Sequence, residues 1–306
     1  MRELSEDMRQ GDTEHSDVAP SVEGDPATSV TVRPEEDDYA SPPTASLPEQ
    51  VYVYALGRIE PGFPTLAVEK EFAQVAARAG DTEGLTDRQL IQSLLSKREN
   101  RYLARQLCWV FTIEGVETYV LHPRDPVDAD LFLEALRDVP RRTDVDLVIG
   151  VLGPIAPPEA CNGLLVPIVI FDQLYNFDID SLVKSIPRPK GHKAEEFEVV
   201  AEELFSRVIQ LTDNAGATDE HRALNYLSVR YPAIYHTTAE QFAANASLTS
   251  VDVHPSRLAS NRKIVDVVFA YTNRATDVTD DYFIRVDVTE EFPFLVTKLA
   301  PFVKRH

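Results

Sequence analysis

The sequence is poor in cysteine and in long apolar runs. It has only two cysteines, Cys108 and Cys161, too few for a disulfide framework or a cysteine-based zinc site. No apolar run approaches the roughly 20 residues of a membrane-spanning helix, and the N-terminus lacks the apolar core of a signal peptide. We therefore expect a soluble, cytoplasmic protein that does not enter a membrane.

Basic residues and cofactor motifs are also scarce. The 30 Lys and Arg face 50 Asp and Glu, a formal net charge of −20, which repels nucleic acid and anionic membranes. The chain has no GxxxxGK[ST] or GxGxxG loop for phosphates and no HExxH pair for zinc. We therefore predict no nucleic-acid partner, no membrane partner, no cofactor and no metal.

The acidic charge is concentrated at the N-terminus. Residues 1–50 contain thirteen acidic residues and three arginines, a balance of −10, with almost no periodic apolar positions. Such a segment cannot bury enough surface to offset the entropy of ordering, so we predict a disordered tail. Composition favours a solubilising tail over a docking arm. The ordered domain should span residues 51–306, with an internal boundary near 187–194, where prolines and a glycine make a linker.

Apolar periodicity predicts an α+β fold of mixed helix and sheet. Strands and helices alternate early, and antiparallel strands cluster at the C-terminus, which argues against a doubly wound sheet. The predicted elements are a strand in VYVYALG, helices over 66–80 and 85–106, a hairpin turning at Gly115, a short helix in DPVDADLFLEALR, buried strands in VDLVIGVLG and LLVPIVIFDQLYNF, a short helix over 178–186, two long helices over 195–211 and 220–245, and strands in SVDVH, KIVDVVFAYTN and DYFIRVDVTEEF.

The stretch DNAGATDEHRALNYLSVRYPAIY, residues 213–235, joins the two long helices. Asp213 and Gly216 provide stop signals, and Thr218 can cap the next helix. Asp213, Asp219 and His221 could instead form a general acid/base site, with a carboxylate fixing the imidazole tautomer. Capping is favoured, because each of these residue types is common at a helix end.

Two further groups are candidates for function. Cys161 could act as a nucleophile if the fold brought His221 beside it, although a buried, unreactive cysteine is the commoner case. Lys97, Arg101 and Arg105 recur every four residues, with Arg98 beside them. On a helix they would form one basic stripe that binds an acidic peptide or the tail, or a solvated face paired with nearby carboxylates, which is favoured.

The apolar run LLVPIVIF follows a proline-rich loop. Together they could border a groove that accepts an extended peptide by strand addition. A buried strand is the more common structure for such a run.

Several long segments resemble one family. They are YALGRIEPGFPTLAVEKEF, LTDRQLIQSLLSKRENRYLARQLCWVFTIEGVETYVLHPRD, GPIAPPEACNGLLVPIVIFDQLYNFDIDSL, TDNAGATDEHRALNYLSVRYPAIY and VDVTEEFPFLVTKL. They are similar to the C-terminal domain of unknown function of PatG-type cyanobactin maturation proteins, and the resemblance covers nearly all of 51–306.

The resemblance implies a biosynthetic context. Related proteins join this domain to a subtilisin-like protease that processes a ribosomally made precursor peptide. This chain has no Gly-Thr-Ser segment of the kind that carries the protease nucleophile, so that activity is not transferred, and the domain has no agreed catalytic residues.

We therefore predict an accessory domain that binds a precursor peptide or a partner enzyme without a catalytic step. The alternatives are a small peptide-modifying enzyme using His221 with Asp213 or Cys161, and a dimeric scaffold.

Overall fold

The computed structural model describes residues 50–80, 84–137, 139, 141–188, 191, 193–209, 213–257 and 261–302. The predicted disordered tail, except for its last residue, lies outside the described residues. Parts of the predicted linker at 187–194 lie outside them too. Both expectations remain predictions.

Over its described residues, the first half of the chain forms five strands and four α-helices, together with short 3-10 helices. The elements are β1 (Tyr52–Gly62), α1 (Leu66–Ala79), α2 (Asp87–Leu95), β2 (Cys108–Ile113), β3 (Val116–Pro123), α3 (Leu131–Ala135), β4 (Asp144–Ile155), β5 (Pro167–Asp178) and α4 (Ile179–Ser185). Local signals set several of these bounds. Thr86 caps α2 in a reciprocal capping box with Gln89, and Gly80 ends α1 at a φ of 84°.

The five strands close into a barrel in the order β1-β2-β3-β5-β4. All pairs are antiparallel except β3 with β5, which run parallel. The β2–β3 hairpin turns at Glu114 and Gly115, both at positive φ, as the sequence predicts. Residues 168–171 of β5 are paired with β3 on one side and with β4 on the other. This part of LLVPIVIF therefore has no free edge, and the hypothesis that the run borders a groove for strand addition is wrong.

The second half adds three helices and a sheet. The elements are α5 (Ala194–Ile209), α6 (Asp219–Arg230), α7 (Ala233–Ala243), β6 (Ala246–Pro255), β7 (Ile264–Asn273), β8 (Thr279–Asp287), β9 (Phe294–Leu295) and β10 (Ala300–Phe302). The sheet has the order β10-β8-β7-β6, with β9 also on β8. The predicted helix over 220–245 is two helices, because proline cannot continue the hydrogen-bond ladder at Pro232. The α+β class is confirmed.

β1 is buried on both faces because each set of alternating side chains packs into a different hydrophobic cluster. Val53 and Ala55 belong to a cluster with the barrel interior and α1 and α2. Tyr54 and Leu56 belong to another, formed with β4, the helices α4–α7 and the helix-facing side of the second sheet. Thus β1, together with β4, separates the two cores. No described helix is long and apolar enough to cross a membrane.

The predicted helix over 85–106 differs from the structure. It is the α-helix α2 followed by a 3-10 helix, Arg98–Gln106. A 3-10 helix has about three residues per turn, so a spacing of four no longer aligns side chains on one face. The prediction of a single basic stripe formed by Lys97, Arg101 and Arg105 is therefore wrong, because these side chains do not share one helix face. All three residues are exposed.

Asp146 is a buried carboxyl group on β4, 7% exposed. Its Oδ2 accepts a hydrogen bond from the backbone N–H of Ile59 at 2.7 Å. Burial raises the pKa of Asp146 to about 6, and the hydrogen bond and the charges of Arg88 and Arg137 offset only part of that effect. The folded state therefore holds this proton at a pH where the unfolded chain has released it.

We expect Asp146→Asn to remove a pH dependence of stability. The folded-state pKa is raised, so the contribution of Asp146 is complete below pH 4 and is lost as pH rises through about 6. Relative to Asp146→Asn, the wild-type free energy of unfolding should fall by about 3 kcal/mol between pH 4 and 7.5. Urea denaturation at several pH values measures this difference. Asp280→Asn, at an exposed position, is the control. Parallel curves for wild type and Asp146→Asn would contradict the expectation.

Candidate functional site

The predicted joint between α5 and α6 is built by helix-end signals. Asp213 and Gly216 take positive φ values of 61° and 72°. Thr218 caps α6, its Oγ1 accepting a hydrogen bond from the backbone N–H of His221 at 3.2 Å. A Cβ on Gly216 would lie 2.5 Å from the carbonyl oxygen of Tyr54, so only glycine fits there. The geometry agrees with the capping interpretation.

Two buried asparagines fix this joint to the barrel. Nδ2 of Asn214 donates to Oδ1 of Asn225 at 2.8 Å, and Nδ2 of Asn225 donates back to Oδ1 of Asn214 at 3.1 Å. Nδ2 of Asn225 also donates to the carbonyl of Tyr54 on β1 at 2.8 Å. The backbone N–H of Tyr54 donates to the carbonyl of Gly216 at 2.8 Å. The asparagines therefore have a structural role that the sequence analysis did not assign.

His221 and Asp219 are not arranged as an acid/base pair. Nδ1 of His221 is buried and has no hydrogen-bond partner among the described residues. Burial lowers the pKa of His221, and the charges of Glu220 and Asp213 oppose this only in part. Asp219 instead faces cations: its carboxylate lies 3.6 Å from Nη1 of Arg222 and 3.9 Å from Nζ of Lys263.

Cys161 is not a free thiol. Its sulfur is bonded to Cys108 on β2, with the Cα atoms 5.4 Å apart, and both residues are buried in a small cluster with Val110, Val120 and Ala156. The nucleophile hypothesis is therefore wrong, because a disulfide sulfur carries no thiolate. The barrel brings together two cysteines that lie 53 residues apart in the sequence.

The predicted basic residues Lys97, Arg98, Arg101 and Arg105 are exposed around the 3-10 helix. Arg101 lines a cleft of about 420 Å³ that also contains Asp130 and Glu134. Arg101 thus shares a cleft with two carboxylates. This agrees with the interpretation that the basic residues form a solvated face near acidic side chains.

Sequence reasoning missed an aromatic cleft on the outer wall of the barrel. It has a volume of about 390 Å³ and lies between β1, β4, β5, α4, α6 and the segment after β8. Aromatic and aliphatic side chains make up most of its lining. The lining residues are Tyr54, Leu147, Ile149, Tyr175, Asn176, Phe177, Leu182, Tyr226, Val229, Arg230, Phe292 and Pro293.

The aromatic rings of the cleft are partly available to a ligand. Tyr175 is 48% exposed and Phe292 is 49% exposed. The rings of Tyr54 and Tyr226 meet edge to face with centroids 6.3 Å apart. Burial raises the pKa of both tyrosines, while the charge of Arg230 acts in the opposite direction. Arg230 is the only charged residue among the described lining residues.

One wall of the cleft is held by a buried arginine. The Arg222 side chain is 2% exposed, and its Nη1 donates to the carbonyl of Val288 at 2.7 Å. Its Nη2 donates to the carbonyl of Glu291 at 3.3 Å and to that of Glu290. Its guanidinium also stacks over the ring of Tyr52, 5.2 Å from the centroid. These contacts hold the segment that presents Phe292 and Pro293 to the cleft.

The same segment carries a carboxyl pair with the barrel. Burial is the largest cause that raises the pKa of Glu291 to about 7, and the hydrogen bond and charge of Asp172 on β5 add to it. Arg124 and Arg222 act in the opposite direction, and Nη2 of Arg124 lies 2.7 Å from Oδ2 of Asp172. A neighbouring carboxylate disfavours the charged form of Glu291, in the same direction as its burial.

The described residues thus define an α+β domain with a closed barrel, a helical layer and a second antiparallel sheet. Residues 191–302 match the family model described as PatG C-terminal. A solved structure described as the PatG Domain of Unknown Function matches with a TM-score of 0.66 and 22% sequence identity, covering 82% of this chain and 98% of that chain. No curated protein matches. The resemblance predicted from the sequence is confirmed, and the chain has the fold of the PatG domain of unknown function.

We expect Asn225→Ala to destabilise the domain more than loss of the helix cap does. The variant removes the donor to two buried acceptors, the Tyr54 carbonyl and Oδ1 of Asn214, at about 3 kcal/mol in total; Nδ2 of Asn214 keeps its bond to the Val208 carbonyl. Thr218→Ala removes one cap and should cost about 1 kcal/mol. Urea denaturation at neutral pH measures both values. An equal or smaller loss for Asn225→Ala would show that the asparagine pair does not hold the joint.

We expect Glu291→Gln to change how stability depends on pH. The folded-state pKa of Glu291 is raised, so its contribution is present below about pH 4.5 and is lost as pH rises through about 7. The glutamine variant should match the wild type near pH 4.5 and exceed its melting temperature at pH 8, where two carboxylates repel each other in the wild type. Thermal denaturation across this range is the measurement. A lower melting temperature for the variant at pH 8 would rule out the repulsion.

Proposed function

We propose that this chain is a non-catalytic accessory protein in the biosynthesis of ribosomally made, post-translationally modified peptides. It would bind a precursor peptide or a partner enzyme, and it would act in the cytoplasm. The biosynthetic context comes from the resemblance to PatG-type proteins. The binding role is supported by the cleft, whose exposed aromatic rings resemble the apolar lining of ligand sites in general.

The aromatic cleft is the observation on which this proposal depends. Large aromatic side chains supply much of the binding energy at peptide and protein interfaces. Tyr175 and Phe292 present about half of their surface to solvent at the cleft, on a wall that the barrel and Arg222 already hold in place. A pre-organised site loses little entropy when a ligand binds.

The exposed basic residues Lys97, Arg98, Arg101 and Arg105 belong to this proposal as a second contact for an acidic peptide segment. The disulfide fits a cytoplasmic setting only if it is protected, because cytoplasmic reductants keep most thiols reduced. Both cysteines are only 5% exposed, and this burial limits access of a reductant to the sulfur atoms.

The test is calorimetric titration of the full chain with a synthetic ribosomal precursor peptide of the cyanobactin type, followed by mass spectrometry of the mixture. Binding heat with unchanged peptide mass is expected. Combining Tyr175→Ala with Phe292→Ala should weaken binding about tenfold or more, and both positions are exposed enough for the fold to persist. Tyr102→Ala, an exposed tyrosine outside the cleft, should leave affinity unchanged.

Other results would favour the alternatives. A change of peptide mass would make the protein a peptide-modifying enzyme, and loss of that change in His221→Ala would favour His221 with Asp213 as its site. Absence of heat, together with a dimer in solution, would favour the scaffold.

A further inference from the structure

Arg230 is a cation without an acidic partner at the aromatic cleft. It is the last residue of α6 and is exposed. Among the described residues it makes no ion pair, and the described lining of the cleft contains no carboxylate. The local charge of the cleft is therefore positive although the chain is acidic.

The charge of Arg230 and the aromatic rings belong to one site. Arg230 acts electrostatically on the hydroxyl groups of both Tyr54 and Tyr226, whose rings are in edge-to-face contact. A ligand that places an apolar side chain on these rings therefore has a guanidinium close by. Arginine pairs with carboxylates through two parallel hydrogen bonds.

The barrel wall excludes one mode of peptide binding. Leu147 and Ile149 on β4 pair with Tyr175 and Gln173 on β5 and, on the other side, with Leu56 and Tyr54 on β1, so β4 has no free edge at the cleft. A peptide cannot add a strand there. A chain that passed through the cleft would bury peptide N–H and C=O groups on both sides of its anchor residue, with few partners for them. A chain end buries fewer such groups.

We infer that the cleft binds the C-terminal end of a peptide, with the last apolar side chain against the rings of Tyr226 and Phe292 and the terminal carboxylate paired with Arg230. This inference rests on the proposed function for one premise, which is that the ligand is a peptide. It adds that a single free carboxylate next to an apolar or aromatic side chain is the recognised group.

The test compares three synthetic peptides by calorimetric titration of the full chain. The first is Gly-Ser-Gly-Ser-Phe with a free C-terminus, and the second is the same peptide with a C-terminal amide. The third places Asp after Phe inside an amidated peptide. The free acid should bind about 10- to 100-fold more tightly than either other peptide, the range expected for hydrogen bonds to a charged group.

Three variants test whether the preference for the free-acid peptide arises at the cleft. Arg230→Gln should abolish the preference for the free acid, and Phe292→Ala should weaken the free acid and the amide alike. Arg78→Gln removes one positive charge at an exposed position of α1 and should keep the preference. Unchanged melting temperatures show that the variants are folded.

Three results would overturn the inference. They are equal affinity for the free acid and the amide, equal affinity for the internal aspartate peptide, and an unchanged preference in Arg230→Gln. Failure of this inference is distinguishable from failure of the proposed function. If the precursor peptide binds the wild type and Arg230→Gln equally, the proposed function stands. Only the inference that the cleft recognises the C-terminal end of the peptide then fails. If neither the precursor nor the short peptides bind, both fail.

Discussion

The hydrogen bonds from Asn225 and Gly216 to Tyr54 on β1 hold the barrel and the helical layer together. Asn225 is fully buried and reaches the Tyr54 carbonyl, and Gly216 accepts from the Tyr54 N–H. Outside a strand ladder, a buried backbone group must find such a partner or lose stability. Tyr54 on β1 thus bonds through its N–H to Gly216, between α5 and α6, and through its C=O to Asn225 on α6.

This attachment has a consequence for packing. β1 has one set of side chains in the barrel core and the other in the core beneath the helices and the second sheet. A strand buried on both faces tolerates little displacement, because interiors are close-packed. The cleft lies on this rigid wall, and its remaining wall is the segment that Arg222 holds through backbone carbonyls. The shape of the cleft is therefore determined by the rigid elements around it.

The cleft also shows how charge is arranged in an acidic chain. The carboxyl pair of Asp172 and Glu291 lies next to the segment that leads into the cleft, with Arg124 and Arg222 close by. The cleft lining itself has Arg230 and no acidic residue among the described positions. Asp172 is paired with Arg124, and because no described lining residue is acidic, the positive charge of Arg230 remains available at the cleft.

The sequence by itself determined the order and type of most elements, because those depend on local physics. Thr86 and Thr218 cap helices through their own hydroxyl groups, Gly80 ends a helix, and Glu114 with Gly115 turns a hairpin. The α+β class follows from the same periodicity. At Arg98–Gln106 a 3-10 helix replaces the predicted α-helix, and the long helical pattern over 220–245 is divided into two helices at Pro232.

Only the tertiary structure decided which distant residues meet. The Cys108–Cys161 bond, the contact of Asn225 with Tyr54, the pairing of Asp172 with Glu291 and the aromatic cleft all depend on strand order and on the parallel pairing of β3 with β5. No periodicity or spacing along the chain encodes that order. It is set by how two hydrophobic cores can be buried at once on the two faces of β1.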